Sequence, residues 1–565
     1  MYSSKENVNQ LTSLLVKYGV QHAVVCPGSR NAPLSHNLAA HPAIRCYSVV
    51  DERSAGYYAL GLSIACRRPV AVCVTSGTAL LNLAPAVAEA CYLHAPLIIL
   101  SADRPPSWID QQDGQTLPQP AALGRLVRKA VTLPEPSDDD QRWYSNRLIN
   151  EALTEATRFD GAPVHINVPI SEPLFDFNVT SLPDERQIRL WHSEPSAGAI
   201  DAFCRIIDDA RRPMIIVGQT TDDLAVTEDT MCAIGRRAVV LCESLSALPR
   251  HPRFDEALQL LSDSRDYQPD RIVYLGGDIV SKRLKFFLRH APEAKSWTVN
   301  PRGEIYDTFC NLQGVLQCST QQFIDHLGRL PKPCSEKPFV TRWNDMLQTL
   351  DRRTDAFVPP FSQMAAVRAF ERTAGSTTPD ALFHYGNSSS VRLANLYARH
   401  HVHCNRGVNG IEGSLSTAAG ASVASGRRVY CVIGDLSFFY DQNALWNRHL
   451  KGNLRILLLN NGGGGIFRQL KGLEASPSRD LFIAGSHQTT AEGVCLTHHV
   501  TYLSAGNQAE LDERLDQLVR AESDRPVLLE VHTDAAADAR AMRGLIEWLG
   551  QTSADSHTES STNNA

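Results

Sequence analysis

No two of the 14 cysteines form a Cys-x-x-Cys pair; they are scattered from Cys26 to Cys495. That spacing excludes a zinc ribbon and a dense disulfide framework. Most of them sit in apolar company, as in Ala71–Val74 and Tyr430–Ile433, where a thiol behaves as a small buried hydrophobe. No apolar run approaches the roughly 20 residues of a membrane span, and the polar stretch Met1–Gln10 lacks a signal core. The expectation is a protein of the reducing cytoplasm with no membrane partner. Positive charge is not in excess: 55 Lys and Arg stand against 61 Asp and Glu, a net −6. Nothing there would neutralise a phosphate backbone, so nucleic acid is excluded as the main partner. No G-x-G-x-x-G opens a helix after a strand, which argues against a dinucleotide dehydrogenase. With 35 Gly and 31 Pro in 565 residues, neither collagen nor wholesale disorder fits.

What is present is a large globular chain. Its length predicts three or four domains, and 43% hydrophobic content supplies their cores. Short apolar runs alternate with helical patterns, the signature of parallel α/β sheets. Ala23–Cys26, Ile44–Val50, Val70–Val74 and Leu97–Leu100 read as strands of a first doubly wound domain, with helices at Ser54–Cys66 and Ala79–Ala90. The polar stretch Asn178–Ile188 reads as a linker. Strands at Pro213–Gly218, Ala238–Cys242 and Arg271–Gly277 make a second block, closed by the Pro- and charge-rich Pro331–Lys337. A third carries strands at Ala381–Tyr385, Val429–Ile433, Arg455–Leu459 and Val527–Val531. The expected fold class is α/β, three doubly wound parallel-sheet domains at 1–180, 190–330 and 355–550. A polar, disordered tail is expected at 551–565.

The sharpest chemical signal lies in the third block. Gly434-Asp435-Leu436-Ser437 follows one strand, and Asn460-Asn461-Gly462-Gly463-Gly464-Gly465 follows the next, with 26 positions between Asp435 and Asn461. That separation holds one helix and the adjacent strand, so an acid and an amide at neighbouring strand ends can converge. Oxygen ligands of this kind suit Mg²⁺, which keeps phosphate oxygens and water in its shell. The glycines let backbone approach a diphosphate. The alternative is two unrelated βα turns, where Asp, Asn and Gly are common anyway.

The pattern resembles the thiamine diphosphate motif, GDG followed by NN, with Leu436 in place of the last Gly. The resemblance implies that Asp435, Asn461 and the Gly463 carbonyl hold a Mg²⁺ or Mn²⁺ ion that bridges the diphosphate. It also requires a carboxylate for the pyrimidine N1′, at a strand end in another domain. Glu52, after the strand Ile44–Val50, is placed for that, whereas its neighbour Asp51 reads as a turn carboxylate. The three blocks then correspond to the Pyr, central and PP domains, with the cofactor between two subunits and a homodimer at least, possibly a tetramer.

Further segments narrow the family. Cys26-Pro27-Gly28-Ser29-Arg30-Asn31-Ala32-Pro33, Thr75–Ala79 and Ser101–Pro106 lie in the first block, and Ser281–Leu284 in the second. Gly386-Asn387-Ser388, Asn405-Arg406-Gly407 and Gly410-Ile411-Glu412-Gly413 lie in the third. Together with Gly434–Ser437 they resemble the 2-succinyl-5-enolpyruvyl-6-hydroxy-3-cyclohexene-1-carboxylate synthase family of menaquinone biosynthesis, in which GDLS replaces GDG. The match covers most of 20–120 and 380–470 and is thin in the central block. It implies a transferase that decarboxylates 2-oxoglutarate and adds the succinyl carbanion equivalent to isochorismate in a 1,4 sense. Both substrates are dianions, and Arg30, Arg104, Lys282, Arg283, Arg392 and Arg406 match the family's basic positions. Ser29, Ser388 and Gln115 match polar site positions, Ser388 and Gln115 being placed with Glu52 in the catalytic set. Ile411, Phe467 and Leu470 match apolar positions against the cofactor, beside Leu436 and Ser437. The rivals are an acetohydroxyacid-synthase-like enzyme, a simple 2-oxo-acid decarboxylase, and a catalytically silent binding protein on this fold. Neither His36 nor His384 reads as an acid–base residue.

Overall fold

The computed structural model describes all residues except 192–194, 221–223, 250–251, 262–264, 333–336, 470–471 and 560–565. Sixteen strands form three sheets among the described residues, and every pairing is parallel. The first sheet holds β1 (His22–Val25), β2 (Arg45–Ser48), β3 (Val70–Val74), β4 (Leu97–Asp103), β5 (Lys129–Thr132) and β6 (Val164–Pro169), ordered β2-β1-β3-β4-β6-β5. The second holds β7 (Pro213–Val217), β8 (Val239–Cys242), β9 (Arg271–Leu275), β10 (Lys295–Asn300) and β11 (Leu312–Gln317), ordered β11-β10-β9-β7-β8. The third holds β12 (Leu382–Tyr385), β13 (Val429–Gly434), β14 (Leu454–Asn460), β15 (Thr501–Ala505) and β16 (Val527–His532), ordered β12-β13-β14-β16-β15. Strands such as β3, β4 and β14 are buried along their whole length, as parallel strands covered on both faces must be.

The three-sheet α/β architecture is the one expected from the apolar runs. Five strands escaped that reading. In β6 two of the fully buried positions are His165 and Asn167. Ser101 Oγ bonds both His165 Nε2, at 2.7 Å, and Asn167 Oδ1, at 2.8 Å. Polar residues that satisfy one another in a core break the apolar pattern without breaking the strand. Among the others, β5 and β15 are sheet edges with half-buried side chains.

Three element readings are corrected. The helix expected over Ala79–Ala90 is two helices, Thr78–Asn82 and Ala84–Leu93, with Pro85 in the first turn of the second. The proline ring cannot continue a helix but suits its start. The stretch Asn178–Ile188 is not a free linker. Asn146 Nδ2 donates to Arg186 O at 3.1 Å, Tyr18 Oη to Ile188 O at 2.8 Å, and Val179 bridges Tyr2. It is a strap over the first domain. The last helix runs from Ala535 to Glu559, so 551–559 are helical where a disordered tail was expected. Ala-, Ser- and Gln-containing sequence can simply prolong a helix already seated on the core. Residues 560–565 lie outside the described residues.

The sheets do not keep separate cores. One cluster joins Ile216, Leu241 and Leu288 of the second block to Tyr430, Val432 and Leu457 of the third. Another joins Val24, Tyr58 and Val72 of the first to Leu415, Cys431 and Leu458 of the third. The helices Glu52–Cys66 and Ser414–Ser425 pack backbone to backbone: a Cβ on Gly61 would strike the Thr417 carbonyl, and one on Gly420 the Tyr58 carbonyl. No helix among the described residues is long and apolar enough to cross a membrane.

Candidate active site

Parallel α/β sheets present their loops and helix N-termini at the carboxyl ends of the strands, where ligands bind. At that end of the third sheet β13 and β14 are hydrogen-bonded neighbours, with Gly434 opposite Leu459. Asp435 therefore leaves β13 beside the turn that leaves β14. Its carboxylate is 3% exposed. Oδ2 accepts the backbone N–H of Asn461 at 3.1 Å and of Gly463 at 2.9 Å, while Oδ1 accepts that of Leu436 at 2.6 Å. Burial raises the pKa of Asp435, and the three N–H donors and His487 pull it back.

The turn carries polar atoms that no hydrogen bond among the described residues satisfies. Asn461 Oδ1 is buried without a hydrogen bond, although its Nδ2 donates to Asp538 Oδ2 at 2.8 Å. His487 Nδ1 accepts from Thr489 N at 3.1 Å, which places the ring proton on Nε2; that atom is buried, unbonded, and 3.4 Å from Asp435 Oδ2. A buried acceptor and a buried donor left open at one strand end are costly unless a ligand completes them. The glycines keep the space clear. Gly462 and Gly463 sit at φ +75° and +146°, and a Cβ on Gly465 would lie 2.5 Å from Asn461 Nδ2. On Gly464 it would lie 2.7 Å from the Phe467 ring. Ser437 Oγ donates to Ile411 O at 2.6 Å, tying the helix after Asp435 to the loop that carries Ile411. Leu436 faces Gly485 across the same turn. Leu470 lies outside the described residues.

Glu52 stands elsewhere. It opens the helix Glu52–Cys66, and Asp51 caps that helix by accepting from the N–H of Arg53 and Ser54. Glu52 itself is half-buried, close enough to Cys26 for its charge to help raise that thiol's pKa, after burial. Its neighbours reach the third block of the same chain: Arg53 Nη2 donates to Tyr440 O at 2.9 Å, and Asn443 Nδ2 to Asp51 Oδ2 at 2.9 Å. No hydrogen bond or ion pair among the described residues joins Glu52 to Asp435, Asn461 or Gly463.

Two family models match the two sheets that carry these groups. "Thiamine pyrophosphate enzyme, N-terminal TPP binding domain" covers residues 7–122, and "Thiamine pyrophosphate enzyme, C-terminal TPP binding domain" covers residues 385–531. Whole-chain relatives are similar throughout. A Bacteroides fragilis protein is 42% identical over 559 residues, 96% of this chain and 99% of its own length. One from Bacteroides thetaiotaomicron is 41% identical, covering 98% of this chain and all of its own. One from Desulfotalea psychrophila is 35% identical, over 94% of this chain and 99% of its own. All three are named 2-succinyl-5-enolpyruvyl-6-hydroxy-3-cyclohexene-1-carboxylate synthase. The chain belongs to that synthase family.

Several residues that resemble the synthase family's site positions gather between the second and third sheets. Arg406 Nη2 pairs with Asp278 at 2.8 Å and Nη1 donates to Asn387 Oδ1 at 3.0 Å. Arg392 Nε is buried without a hydrogen bond. Burial lowers the Arg392 pKa, with Asp255 acting against that, and Arg406, Glu243 and Arg283 stand in the same field. Arg283 pairs with Asp255 and is half exposed; Lys282 beside it is exposed. Ser388 follows Asn387 at φ +70°, a strained conformation for a non-glycine residue that a site can hold in place.

The remainder lies in the first block. Ser29 is exposed and Arg30 buried, its Nη1 donating to Ile170 O at 2.9 Å and its Nη2 3.1 Å from Glu172. Arg104 lies 3.5 Å from Asp113. Gln115, at φ +59°, places its backbone against Gly77. Gln119 pins that loop, accepting from Gly77 N at 2.7 Å and donating to Asn167 Oδ1 at 2.8 Å. The synthase sequence pattern therefore occupies two places within one chain. His36 stacks on Phe177 and His384 is buried at 4% exposure, its pKa pushed down to about 3 by burial; neither enters these clusters. Asp538 and His487 were missed by sequence reasoning. Neither belongs to a motif, and Asp538 lies 77 positions from Asn461, so no pattern in the sequence marked them.

Proposed function

We propose that this protein decarboxylates 2-oxoglutarate and adds the succinyl fragment to isochorismate in a 1,4 sense, releasing CO₂ and the product for which the synthase family is named, in menaquinone biosynthesis. The observation that carries the reading is the open pair at the third sheet. The Asn461 amide oxygen is buried without a hydrogen bond among the described residues, beside the Asp435 carboxylate, whose Oδ1 accepts a single N–H, on a turn that glycines keep free of side chains. These residues fit a hard divalent cation and a diphosphate. Asp435, Asn461 and the Gly463 carbonyl would hold Mg²⁺ or Mn²⁺, and Leu436, Ser437, Ile411, Phe467 and Leu470 would line the cofactor. When bound, thiamine diphosphate supplies a carbon nucleophile and an electron sink for the decarboxylation.

Glu52 would hold a hydrogen bond at the pyrimidine N1′ of the bound cofactor. Its helix neighbours are already committed to the same chain's third block, while no hydrogen bond or ion pair among the described residues joins Glu52 to Asp435 or Asn461 there. A second copy then brings Glu52 to the metal end, and the working unit is a homodimer or a tetramer built from dimers. Division of the chain at 1–180, 190–330 and 355–550 assigns the pyrimidine end, a central domain and the diphosphate end. Arg392, Arg406, Arg283 and Lys282 bind carboxylate charge from one side; Arg30, Arg104 and Ser29 do so from the other. Ser388 and Gln115 orient substrate by hydrogen bonding from strained backbone positions. The low net charge accords with small-molecule substrates, and the scattered, unpaired cysteine pattern accords with the reducing cytoplasm.

The test is loss of isochorismate absorbance with protein, thiamine diphosphate, Mg²⁺ and 2-oxoglutarate. Consumption that needs all four components is the expected result. If pyruvate replaces 2-oxoglutarate equally well, the acetohydroxyacid-synthase-like reading takes its place.

A further inference from the structure

A metal-facing amide has a requirement that a carboxylate does not. Asn presents either an oxygen or an NH₂ group to a given direction, and only the oxygen binds a cation. Something must choose. In this chain Asn461 Nδ2 donates to Asp538 Oδ2 at 2.8 Å, across 77 positions of sequence. An ionised carboxylate is an acceptor only, so the amide nitrogen is fixed toward Asp538 and the oxygen is turned away from it, to the buried position where it has no donor. Asp538 is itself held. It lies in the first turn of the helix Ala535–Glu559, and its Oδ1 accepts the backbone N–H of Gln363 at 2.8 Å. Thr533 Oγ1 adds a longer contact to Oδ2, at 3.3 Å. The Thr533 N–H bonds Asn460 O at 2.9 Å, so the segment that carries Asp538 is tied directly to the turn it orients.

We propose that Asp538 is a positioning residue of the cofactor site, which sets the Asn461 amide so that its oxygen faces the divalent cation. This rests on the reading that Asp435 and Asn461 bind that cation. Metal sites commonly depend on such outer partners, whose loss costs roughly 10- to 100-fold in metal affinity. With Asp538 removed, the amide can turn its NH₂ group to the cation, and metal binding then has to reverse it.

The experiment measures Mn²⁺ binding to the full chain in the presence of thiamine diphosphate, from the electron paramagnetic resonance signal of free Mn²⁺, with thermal melting recorded alongside. The set is wild type, Asp538→Ala, Asp538→Asn, Asn461→Ala, Asp435→Ala and the double variant Asn461→Ala/Asp538→Ala. Asp538→Ala is expected to weaken Mn²⁺ by about 10- to 100-fold. Asp538→Asn has one oxygen for the two donors Gln363 N–H and Asn461 Nδ2, and is expected to fall between wild type and Asp538→Ala. In the Asn461→Ala background, removing Asp538 is expected to change nothing further, because no amide remains to orient. Asp538→Leu, which keeps the volume without an acceptor, stands in should the alanine variant not fold. Wild-type Mn²⁺ affinity in Asp538→Ala, with Asn461→Ala impaired, overturns the inference and leaves the metal site standing. An equal further loss in the double variant assigns Asp538 a general structural role and also overturns it. Unchanged Mn²⁺ binding in both Asn461→Ala and Asp435→Ala overturns the metal site itself and this inference with it.

Discussion

The carboxyl ends of the first and third sheets have been built in opposite ways. At the third, Asp435 accepts three backbone N–H groups, Asn461 is tied to Asp538, and the turn between them is held before any ligand arrives. At the first, Asp51 caps the helix, Arg53 reaches Tyr440, and Glu52 between them is left outside this network. One end is organised by its own chain; at the other, no hydrogen bond among the described residues engages the Glu52 carboxylate, to which the proposed function gives the pyrimidine end of the cofactor. The difference matches the two demands of a diphosphate cofactor. A cation needs several fixed oxygens at once, whereas a single proton-holding contact needs one carboxylate and a partner brought to it.

Four perturbations separate the two ends, in decreasing order of expected effect. Glu52→Gln should reduce turnover by about 10³-fold, within the range for a positioned acid–base group, with thiamine diphosphate affinity little changed. Steady-state rates and a cofactor titration check both halves, and equal loss in affinity would erase the contrast between the ends. Asp435→Ala should act the other way, weakening Mg²⁺-dependent cofactor binding by about 100-fold or more and recovering part of its rate at high Mg²⁺. A rate deficit that Mg²⁺ cannot touch would remove Asp435 from the metal site. Gly465→Ala places a methyl group 2.5 Å from Asn461 Nδ2. It should cost about tenfold in Mg²⁺ affinity, of the order seen when a supporting contact is disturbed, with the melting temperature nearly kept; calorimetric titration tests this.

The smallest effect concerns a carboxylate that joins the two sheets. Glu89, on the helix Ala84–Leu93, accepts from Gly407 N at 2.7 Å and Val408 N at 2.8 Å, beside Arg406. Burial pushes its pKa up to about 7, against the two N–H donors. A carboxylate whose folded pKa is raised binds its proton more tightly in the native state. Its stabilising contribution is therefore present at low pH and lost as pH rises from the unfolded value, near 4.5, through about 7. Glu89→Gln should flatten the fall of unfolding free energy over that window by at most about 1.4 kcal/mol per pH unit. Denaturant melts at pH 5, 6 and 7, as about three points across that window, read the slope; one identical to wild type would show that Glu89 does not titrate there.

Legibility followed the physics of each feature. Apolar runs bounded by Gly or polar residues marked β3, β4, β7 and β14 because fully buried parallel strands cannot hide. The strand β6 was invisible because His165 and Asn167 satisfy each other's neighbourhood through Ser101. Asp435 and Asn461 were readable from spacing, since one helix and one strand between them fix adjacent strand ends. Asp538 and His487 were not, because what brings them to the turn is the packing of the segments that follow β14 and β16.

The sequence alone determined that this chain is α/β, that its third sheet ends in an acid, an amide and a glycine run, and which synthase family that pattern resembles. These are local properties, set by hydrophobic period, turn chemistry and motif spacing. The tertiary structure decided which atoms of those residues remain open. Whether the Asn461 oxygen or its NH₂ faces the site depends on Asp538, and whether Arg392 shares one field with Asp255, Glu243 and Arg283 depends on how the second sheet docks against the third. Hydrogen-bond satisfaction and charge proximity are distances in space, and no one-dimensional spacing contains them.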